Sequence, residues 1–260
     1  MAAIVEVRDL SKNYGRFGAL DGIDLCVPEG SVFALLGASG AGKTTFIKTL
    51  LNIISPTRGS ATVLGVDSRA IGPRTLARIG YVSENQALPA RLRVEDFFAY
   101  LRPCYGSWNR GLENDLREQL CLPAGRRIGA LSHGMRLKMA LACALPFRPR
   151  LLVLDEPLSG LDALARDEVI GGFLPQAGET TILVSSHELD EVERFATHVA
   201  FLHGGRLLFQ GTVASLWQHA RPLLAPSTEP QAGRASLRAI FVAMVSAARR
   251  SADESARRLT

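Results

Sequence analysis

One stretch decides the fold: Gly37-Ala38-Ser39-Gly40-Ala41-Gly42-Lys43-Thr44. It fits the pattern G-x-x-x-x-G-K-[S/T], and it lies between an apolar run at 31–36 and a stretch with helical spacing from Phe46. Glycines let the backbone curl so that successive N–H groups point at one anion, and the following helix adds its positive N-terminus. We therefore expect a phosphate-binding loop, in which Lys43 reaches the β- and γ-phosphates and the Thr44 hydroxyl ligates Mg²⁺.

A second chemical signal stands at the end of a buried strand. Residues 151–154 are apolar, and Asp155 and Glu156 follow at once. In open α/β sheets, ligands bind at the carboxyl ends of the strands. Asp155 suits an outer partner for Mg²⁺, and Glu156 suits a general base for an attacking water. The two motifs together predict the core of a nucleoside-triphosphate hydrolase.

Short apolar strands alternate with helical stretches along most of the chain, which indicates a mostly parallel sheet with helices on its faces. Residues 88–148 break the alternation, and we interpret them as a helical subdomain inserted into the α/β core. We expect the main domain to cover 1–220. The remainder, 221–260, reads as a linker rich in Pro, Ala and Ser, followed by a short amphipathic helix from 237.

Composition excludes several classes of protein. Apolar residues make up 47% of the chain and charged residues 21%, which excludes intrinsic disorder. No run approaches the ~18 apolar residues that a membrane-spanning helix needs, so we expect no such helix. The net charge is +5, and the seven arginines and three acids of 221–260 supply +4 of it. The body is therefore nearly neutral, whereas a nucleic-acid binder usually carries a basic stripe.

The sequence is less specific about the packing of the C-terminal helix. The apolar face of the helix can pack on the body, self-associate or lie near a membrane, and its arginines can be solvated or near anionic lipid. They are Arg249, Arg250, Arg257 and Arg258.

Four widely spaced cysteines without a C-x-x-C pair predict reduced thiols. They are Cys26, Cys104, Cys121 and Cys143.

Three further segments follow in a recognisable order: Leu131-Ser132-His133-Gly134-Met135, then Ser159-Gly160-Leu161-Asp162, then Ser185-Ser186-His187. With the phosphate loop and the strand that ends in two acids, this order resembles the nucleotide-binding subunit of ABC transporters over about residues 3–220. The resemblance implies a P-loop NTPase core with a mostly parallel sheet, an N-terminal antiparallel β region and an inserted helical subdomain.

The same resemblance assigns roles to individual residues. Ser132 and Gly134 fall in the signature motif, which contacts ATP bound to a second subunit, and Asp162 falls in the D-loop. His187 is the switch histidine, which bonds the γ-phosphate, and Tyr14 resembles the aromatic residue that stacks on adenine. The residues expected to contact nucleotide are Tyr14, Gly37, Ala38, Ser39, Gly40, Ala41, Gly42, Lys43, Thr44, Thr45, Glu84, Ser132, Gly134 and Asp162. Those expected to hold metal are Thr44, Glu84 and Asp155, and the catalytic set is Lys43, Glu156 and His187.

Two positions depart from the family pattern. Glu84 stands where the Q-loop usually has Gln, and it keeps one oxygen that can face Mg²⁺ or its water shell. His133 stands where a second Gly is usual in the signature motif, and Met135 also departs from it. We expect tolerance at His133, because Ser132 and Gly134 are retained.

The implied function is ATP hydrolysis, with Mg²⁺, by a dimer (homo- or heteromeric) that closes over ATP. The resemblance also implies a separate membrane permease, with export favoured over import, and a position on the cytoplasmic face of the plasma membrane. Four aromatic residues are candidate permease contacts or core: Phe97, Phe98, Tyr100 and Trp108. Two alternatives stay open, a soluble ABC ATPase that acts on nucleic acid or ribosomes, and a module that senses nucleotide without turnover.

Overall fold

The computed structural model describes residues 2–84, 86–223 and 236–258. Its strands, in chain order, are β1 (Ala3–Tyr14), β2 (Phe17–Pro28), β3 (Val32–Leu36), β4 (Arg58–Val63), β5 (Val66–Asp67), β6 (Ile79–Ser83), β7 (Leu151–Asp155), β8 (Thr181–Ser186), β9 (His198–His203) and β10 (Arg206–Thr212). They form a six-stranded sheet with the order β10-β9-β3-β8-β7-β6 and a four-stranded sheet with the order β2-β1-β4-β5. The predicted fold class is confirmed.

Helices connect and cover these sheets. In chain order they are α1 (Lys43–Leu50), α2 (Pro73–Leu76), α3 (Val94–Leu101), α4 (Arg110–Gln119), α5 (His133–Ala144), α6 (Ala163–Glu168), α7 (Leu174–Gln176), α8 (Leu189–Val192), α9 (Val213–Ala220) and α10 (Leu237–Arg258). A π-helical segment, Val169–Phe173, joins α6 to α7. The predicted helical subdomain corresponds to α3, α4 and α5, which lie between β6 and β7 in the chain.

The strand register of the larger sheet positions the site. Strands β9, β3, β8, β7 and β6 run parallel, so their carboxyl ends meet at one edge. At that edge Leu36 pairs with Ser186, and Asp155 pairs with both Ser185 and Ser83. The residues that follow these strand ends are therefore neighbours in space. The phosphate loop, the two acids and His187 all lie at this edge.

The smaller, antiparallel sheet holds α1 against the larger one. Phe46, Ile47 and Leu50 of α1 are almost fully buried in one hydrophobic cluster with side chains of both sheets. Removing this much apolar surface from water stabilises the fold by about 2 kcal/mol for each large side chain. The helix that begins at the phosphate loop is thus fixed between two sheets.

The helical subdomain contains a buried ion-pair network. Glu113 of α4 is fully buried, and its carboxylate accepts two hydrogen bonds from Arg102, at 2.8 and 2.6 Å, and one from the Trp108 indole at 2.8 Å. Arg117 approaches it to 3.5 Å. Burial by itself raises the pKa of Glu113, but these hydrogen bonds and charges outweigh burial and hold that pKa below its ordinary value.

The structure separates the four aromatic candidates for permease contact. Phe98 is fully buried, so of the two alternatives left open for it, permease contact or core, the structure favours the core, and Trp108 is half-buried and bonded to Glu113. Tyr100 is 64% exposed, and the Phe97 ring lies parallel to it at 6.4 Å. Tyr100 and Phe97 therefore remain the candidates on this surface.

The C-terminal helix α10 packs on the body of the molecule. Leu237, Ile240 and Met244 are buried in the main core, and the Phe241 ring meets Phe201 of β9 edge-on at 5.3 Å. This favours packing among the three alternatives that the sequence left open. The helix extends over 22 residues, longer than the short helix predicted, because the residues after its apolar face are mostly strong helix formers such as Ala, Arg and Glu. Residues 224–235 of the predicted linker and the side chains of Arg249, Arg257 and Arg258 lie outside the described residues.

Across residues 2–84, 86–223 and 236–258, none of the helices combines the length and the apolar character that crossing a membrane requires.

Candidate functional site

The phosphate loop depends on glycine at two close approaches of the backbone. A Cβ at Gly37 would lie 2.3 Å from the Leu202 carbonyl oxygen, and one at Gly42 would lie 2.6 Å from the Ala19 carbonyl oxygen. Gly42 also has φ of +109°, a conformation that L side chains rarely adopt, and it caps the start of α1. The loop is thus pressed against β9 and β2, with the α1 N-terminus behind it.

Lys43 is the buried cation of the site. It is only 5% exposed, and its Nζ donates to the carbonyl oxygens of Gly37, at 2.6 Å, and Ala38, at 3.1 Å. The same atom lies 3.0 Å from Glu156 Oε1. Lys43 therefore connects the phosphate loop to the acid at the end of β7.

Asp155 accepts hydrogen bonds from two hydroxyl groups. It is 4% exposed, and its Oδ1 accepts from Ser185 Oγ at 2.6 Å and from Thr44 Oγ1 at 3.2 Å. Ser185 Oγ in turn accepts from the Glu156 N–H at 3.0 Å. Sequence reasoning assigned no role to Ser185, although its position two residues before His187, at a strand end, is a signal that could have identified it.

Glu156 is held by its backbone and by both of its carboxylate oxygens. It has φ of +55°, the left-handed region that is uncommon for residues other than glycine. Its Oε2 lies 2.8 Å from His187 Nδ1 and accepts the His187 backbone N–H at 3.3 Å. Such a conformation persists only where the surrounding structure enforces it, which is common at functional sites.

The residues that could hold Mg²⁺ supply oxygen atoms, the ligand type that this ion prefers. Thr44 Oγ1 and Asp155 Oδ1 are already neighbours. Glu84 donates its backbone N–H to the Asp155 carbonyl oxygen at 3.0 Å, which places it at the same edge, but its carboxylate accepts from Ser159 Oγ at 2.7 Å. The oxygen atoms of Thr44, Asp155 and Glu84 therefore fit Mg²⁺. Ser159, which bonds to Glu84, is a further site residue that the sequence analysis did not assign.

A cleft of about 490 Å³ joins these groups. The phosphate loop, Glu156 and His187 line it, together with two aromatic residues of the β1–β2 hairpin. The glycine-rich cradle, the buried cation and the oxygen donors fit a nucleoside triphosphate with Mg²⁺. The predicted residues that line the cleft are Tyr14, Ser39, Gly40, Ala41, Gly42, Lys43, Thr44, Thr45, Glu84, Glu156 and His187, and the residues missed are Phe17, Ala19 and Ser159.

Six predicted residues are not among those that line this cleft. Gly37 and Ala38 accept hydrogen bonds from Lys43, and Asp155 accepts one from Thr44, so these three adjoin it. The other three, Ser132, Gly134 and Asp162, lie in other segments. Ser132 is exposed and caps α5, accepting the Met135 N–H at 3.2 Å, and Gly134 follows in the first turn. Asp162 caps α6 in the same way, accepting the Ala165 N–H at 2.8 Å. His133 lies beside Gly160, where a Cβ on the glycine would be 3.4 Å from the imidazole. Within one chain, therefore, the signature motif is apart from the phosphate loop.

An ion pair ties helix α6 to the residue that follows His187. Arg166 of α6 forms two contacts with the Glu188 carboxylate, at 2.7 and 2.5 Å, and both side chains are about a quarter exposed. Glu188 follows His187 directly, and α6 begins directly after Asp162. The pair is bidentate, the strongest geometry for a carboxylate and a guanidinium. It fixes the position of His187 relative to α6.

Comparisons with known proteins show the family of this chain. The family model described as ABC transporter matches residues 20–159. The chain is 31% identical over 217 residues to "Probable multidrug ABC transporter ATP-binding protein YbhF" of Escherichia coli (strain K12), covering 80% of this chain and 37% of that protein. It is 32% identical over 212 residues to "Bacitracin transport ATP-binding protein BcrA" of Bacillus licheniformis, covering 80% of this chain and 69% of that protein.

A relative named as an import protein and a solved structure are also similar to this chain. "Sulfate/thiosulfate import ATP-binding protein CysA" of Mycolicibacterium paratuberculosis is 36% identical over 211 residues, 78% of this chain and 58% of that protein. The solved "Structure of ATP binding subunit of ABC transporter" superposes with a TM-score of 0.80 at 27% identity, covering 93% of this chain and 99% of that one. The chain thus spans little more than a third of the YbhF relative and nearly all of the solved subunit.

Proposed function

The chain belongs to the ABC transporter family of ATP-binding proteins, and from that premise we propose that it hydrolyses ATP to drive transport through a separate membrane permease. The observation that carries the proposal is the Glu156 carboxylate, held between Lys43 Nζ at 3.0 Å and His187 Nδ1 at 2.8 Å at the mouth of a glycine-rich phosphate loop. In this proposal Glu156 is the base, Lys43 the cation and His187 the ligand of the γ-phosphate, and the support is that all three side chains line one cleft.

The proposed reaction is an in-line attack of water on the γ-phosphate. Glu156 orients the water and accepts its proton while the new P–O bond forms and the bond to the β-phosphate oxygen breaks. Lys43 stabilises the charge that develops on the phosphate oxygens, and His187 bonds the γ-phosphate. Thr44, Asp155 and Glu84 would hold Mg²⁺, which supplies charge stabilisation on the phosphates when bound.

We propose that two copies, or this chain and a similar one, close over ATP. The support is that Ser132, Gly134 and Asp162 are not part of the cleft in one chain, while Ser132 is exposed at a helix N-terminus that suits a phosphate. Export is favoured over import by the multidrug and bacitracin transport relatives, whereas the CysA relative is an import protein. A place on the membrane surface, held by the permease, follows from the same proposal.

The test uses the Glu156→Gln variant. It keeps the shape of the side chain and removes the base, so we expect ATP binding to persist and turnover to fall by about 10²- to 10⁴-fold. Because ATP then stays bound, size-exclusion chromatography with ATP should show a dimer that the wild-type protein does not accumulate. Phosphate release measures the turnover.

Glu179→Gln is the matched control. Glu179 is an exposed carboxylate in the loop before β8, at the opposite edge of the sheet from Ser186. The Glu179→Gln variant should hydrolyse ATP at the wild-type rate. Rapid hydrolysis by Glu156→Gln would show that Glu156 is not the base.

A further inference from the structure

Two exposed aromatic side chains line the same cleft as the phosphate loop. Tyr14 is 49% exposed and Phe17 is 66% exposed, and both line the cleft with Ala19. They flank the two-residue turn between β1 and β2 and pair directly across it. Directly opposite residues of an antiparallel pair project from the same face, with their Cβ atoms about 5 Å apart. The hairpin therefore presents both side chains to the same space.

One face of the Tyr14 ring is already covered. The Lys12 ammonium lies over that ring, 5.1 Å from its centroid, and it also donates to the Ser55 carbonyl oxygen at 2.8 Å. The hydrogen bond fixes the ammonium, and the cation–π contact in turn fixes the ring. This leaves the opposite face of Tyr14 for a planar ligand.

Phe17 has no polar group, so its exposure is not explained by hydrogen bonding to water. Exposing most of a phenyl ring loses free energy that burial would supply. Phe17 lines the same cleft as the phosphate loop, and when the phosphates of a nucleoside triphosphate occupy that loop, the part of the ligand left to meet an apolar ring is the nucleobase. A nucleobase is planar and apolar on its faces, which is the surface that aromatic side chains bind by stacking.

We propose that Phe17 is a second nucleobase-binding residue, which together with Tyr14 selects purine nucleoside triphosphates. Tyr14 stacks on one part of the base, and Phe17 packs on the surface that Tyr14 leaves exposed. A purine offers a larger face than a pyrimidine and so gains more from a second ring. This inference rests on the proposed function, since it assumes that the cleft binds a nucleoside triphosphate.

The test compares ligands with and without a base in the Phe17→Ala variant. ATP affinity, measured by isothermal titration calorimetry with Mg²⁺, should fall about tenfold, the effect typical of losing one aromatic contact to a base. Affinity for inorganic tripolyphosphate should not change, because it has no base. The preference for ATP over CTP should also shrink, which a merely structural role of Phe17 would not cause.

Two variants control for other effects. Leu76→Ala removes an exposed apolar side chain from α2, which does not line the cleft, and should bind ATP as the wild type does. Phe17→Trp should retain the affinity. If Phe17→Ala binds ATP normally, or loses ATP and tripolyphosphate equally, the inference is overturned. If the wild-type protein binds no ATP, the proposed function itself fails, and the two failures are distinguishable.

Discussion

Glu156 illustrates how a single residue is positioned for chemistry at the expense of local stability. Its left-handed backbone, at φ +55°, costs about 1 kcal/mol or more for a residue with a side chain. The Glu156 N–H bonds to Ser185, and the carboxylate bonds to Lys43 and His187. These contacts offset the cost and hold the carboxylate at the carboxyl end of β7, where a water next to the γ-phosphate would lie.

Lys43 allows a direct prediction at this scale. We expect Lys43→Ala to weaken ATP binding by at least about tenfold, because a charge-assisted bond to phosphate is worth more than a neutral one. The loss should be the same for tripolyphosphate, since Lys43 contacts phosphate and not the base. Equilibrium titration with both ligands measures it.

Lys48→Ala is the matched control for this prediction. Lys48 lies in the last turn of the same helix and is half-buried, and it does not line the cleft. Because Lys43→Ala also removes the partner of Glu156, thermal unfolding of the variant should accompany the titration. Unchanged ATP affinity in a folded Lys43→Ala protein would contradict the role of the phosphate loop.

At the scale of elements, the Glu113 network joins α4 to the segment after α3. Glu113→Gln leaves two arginines without a carboxylate, and we expect it to lower the free energy of unfolding by about 3 kcal/mol at neutral pH. The folded-state pKa of Glu113 lies below its ordinary value of 4.5. The charge therefore contributes fully above about pH 4.5, and its contribution is lost as the pH falls through the folded-state pKa.

Urea denaturation at several pH values tests this prediction. The difference between wild type and Glu113→Gln should be constant from about pH 7 to pH 5 and should shrink below pH 4.5. Glu118→Gln, on an exposed position of the same helix, should have little effect at any of these pH values. A difference that grows on acidification would show that Glu113 is protonated in the folded chain.

Strands and helices could be predicted where their apolar residues follow a clear pattern in the sequence. Buried parallel strands such as β7 and β8 have continuous apolar runs, and their positions were predicted within a residue or two. The strand β4 was missed, because Arg58–Val63 has mixed polarity and a glycine. After β8 the chain forms only a four-residue helix, α8 (Leu189–Val192), which is too short to give a periodic apolar pattern in the sequence.

The site was predictable where residues form a continuous motif and not where contacts are made across the fold. The phosphate loop and the pair of acids could be read directly from the sequence, because each occupies consecutive positions. Ser185 and Ser159 act through bonds to Asp155 and Glu84, and those partners are 30 and 75 positions away in the chain. Such bonds depend on the strand register, which sequence patterns alone did not specify.

At the scale of the whole molecule, the cleft is lined by the phosphate loop, Glu156, His187 and two aromatic residues, and Ser132 is not among its lining residues. In the proposed dimer, the exposed Ser132 and the turn of α5 that follows it would complete the cleft from another subunit. In a symmetric dimer, Ser132 of each copy would contact the cleft of the other copy, so two identical contacts form together. The proposed dimer thus has a specific geometric consequence, that Ser132 of one copy faces Ser39 of the other.

Cysteine crosslinking between two separate proteins measures this consequence. One carries Ser39→Cys and the other Ser132→Cys, both in a Glu156→Gln background with Cys26, Cys104 and Cys121 replaced by Ser. Cys143 can stay, because burial raises the pKa of its thiol and keeps it unreactive. Under mild oxidation with ATP we expect a reducible band at twice the chain mass, because ATP brings the two cysteines together. Only a contact between chains can produce it, since each protein carries one engineered thiol.

The control pairs Ser39→Cys with Glu179→Cys, whose position lies at the opposite edge of the sheet and should not crosslink. Leaving out ATP should reduce the Ser39–Ser132 product strongly, since the two surfaces have no other ligand to join them. Equal crosslinking of both pairs would indicate random collision. A product that forms only between Ser132→Cys chains would place the signature motifs against each other, and the shared cleft would then be the wrong description of the assembly.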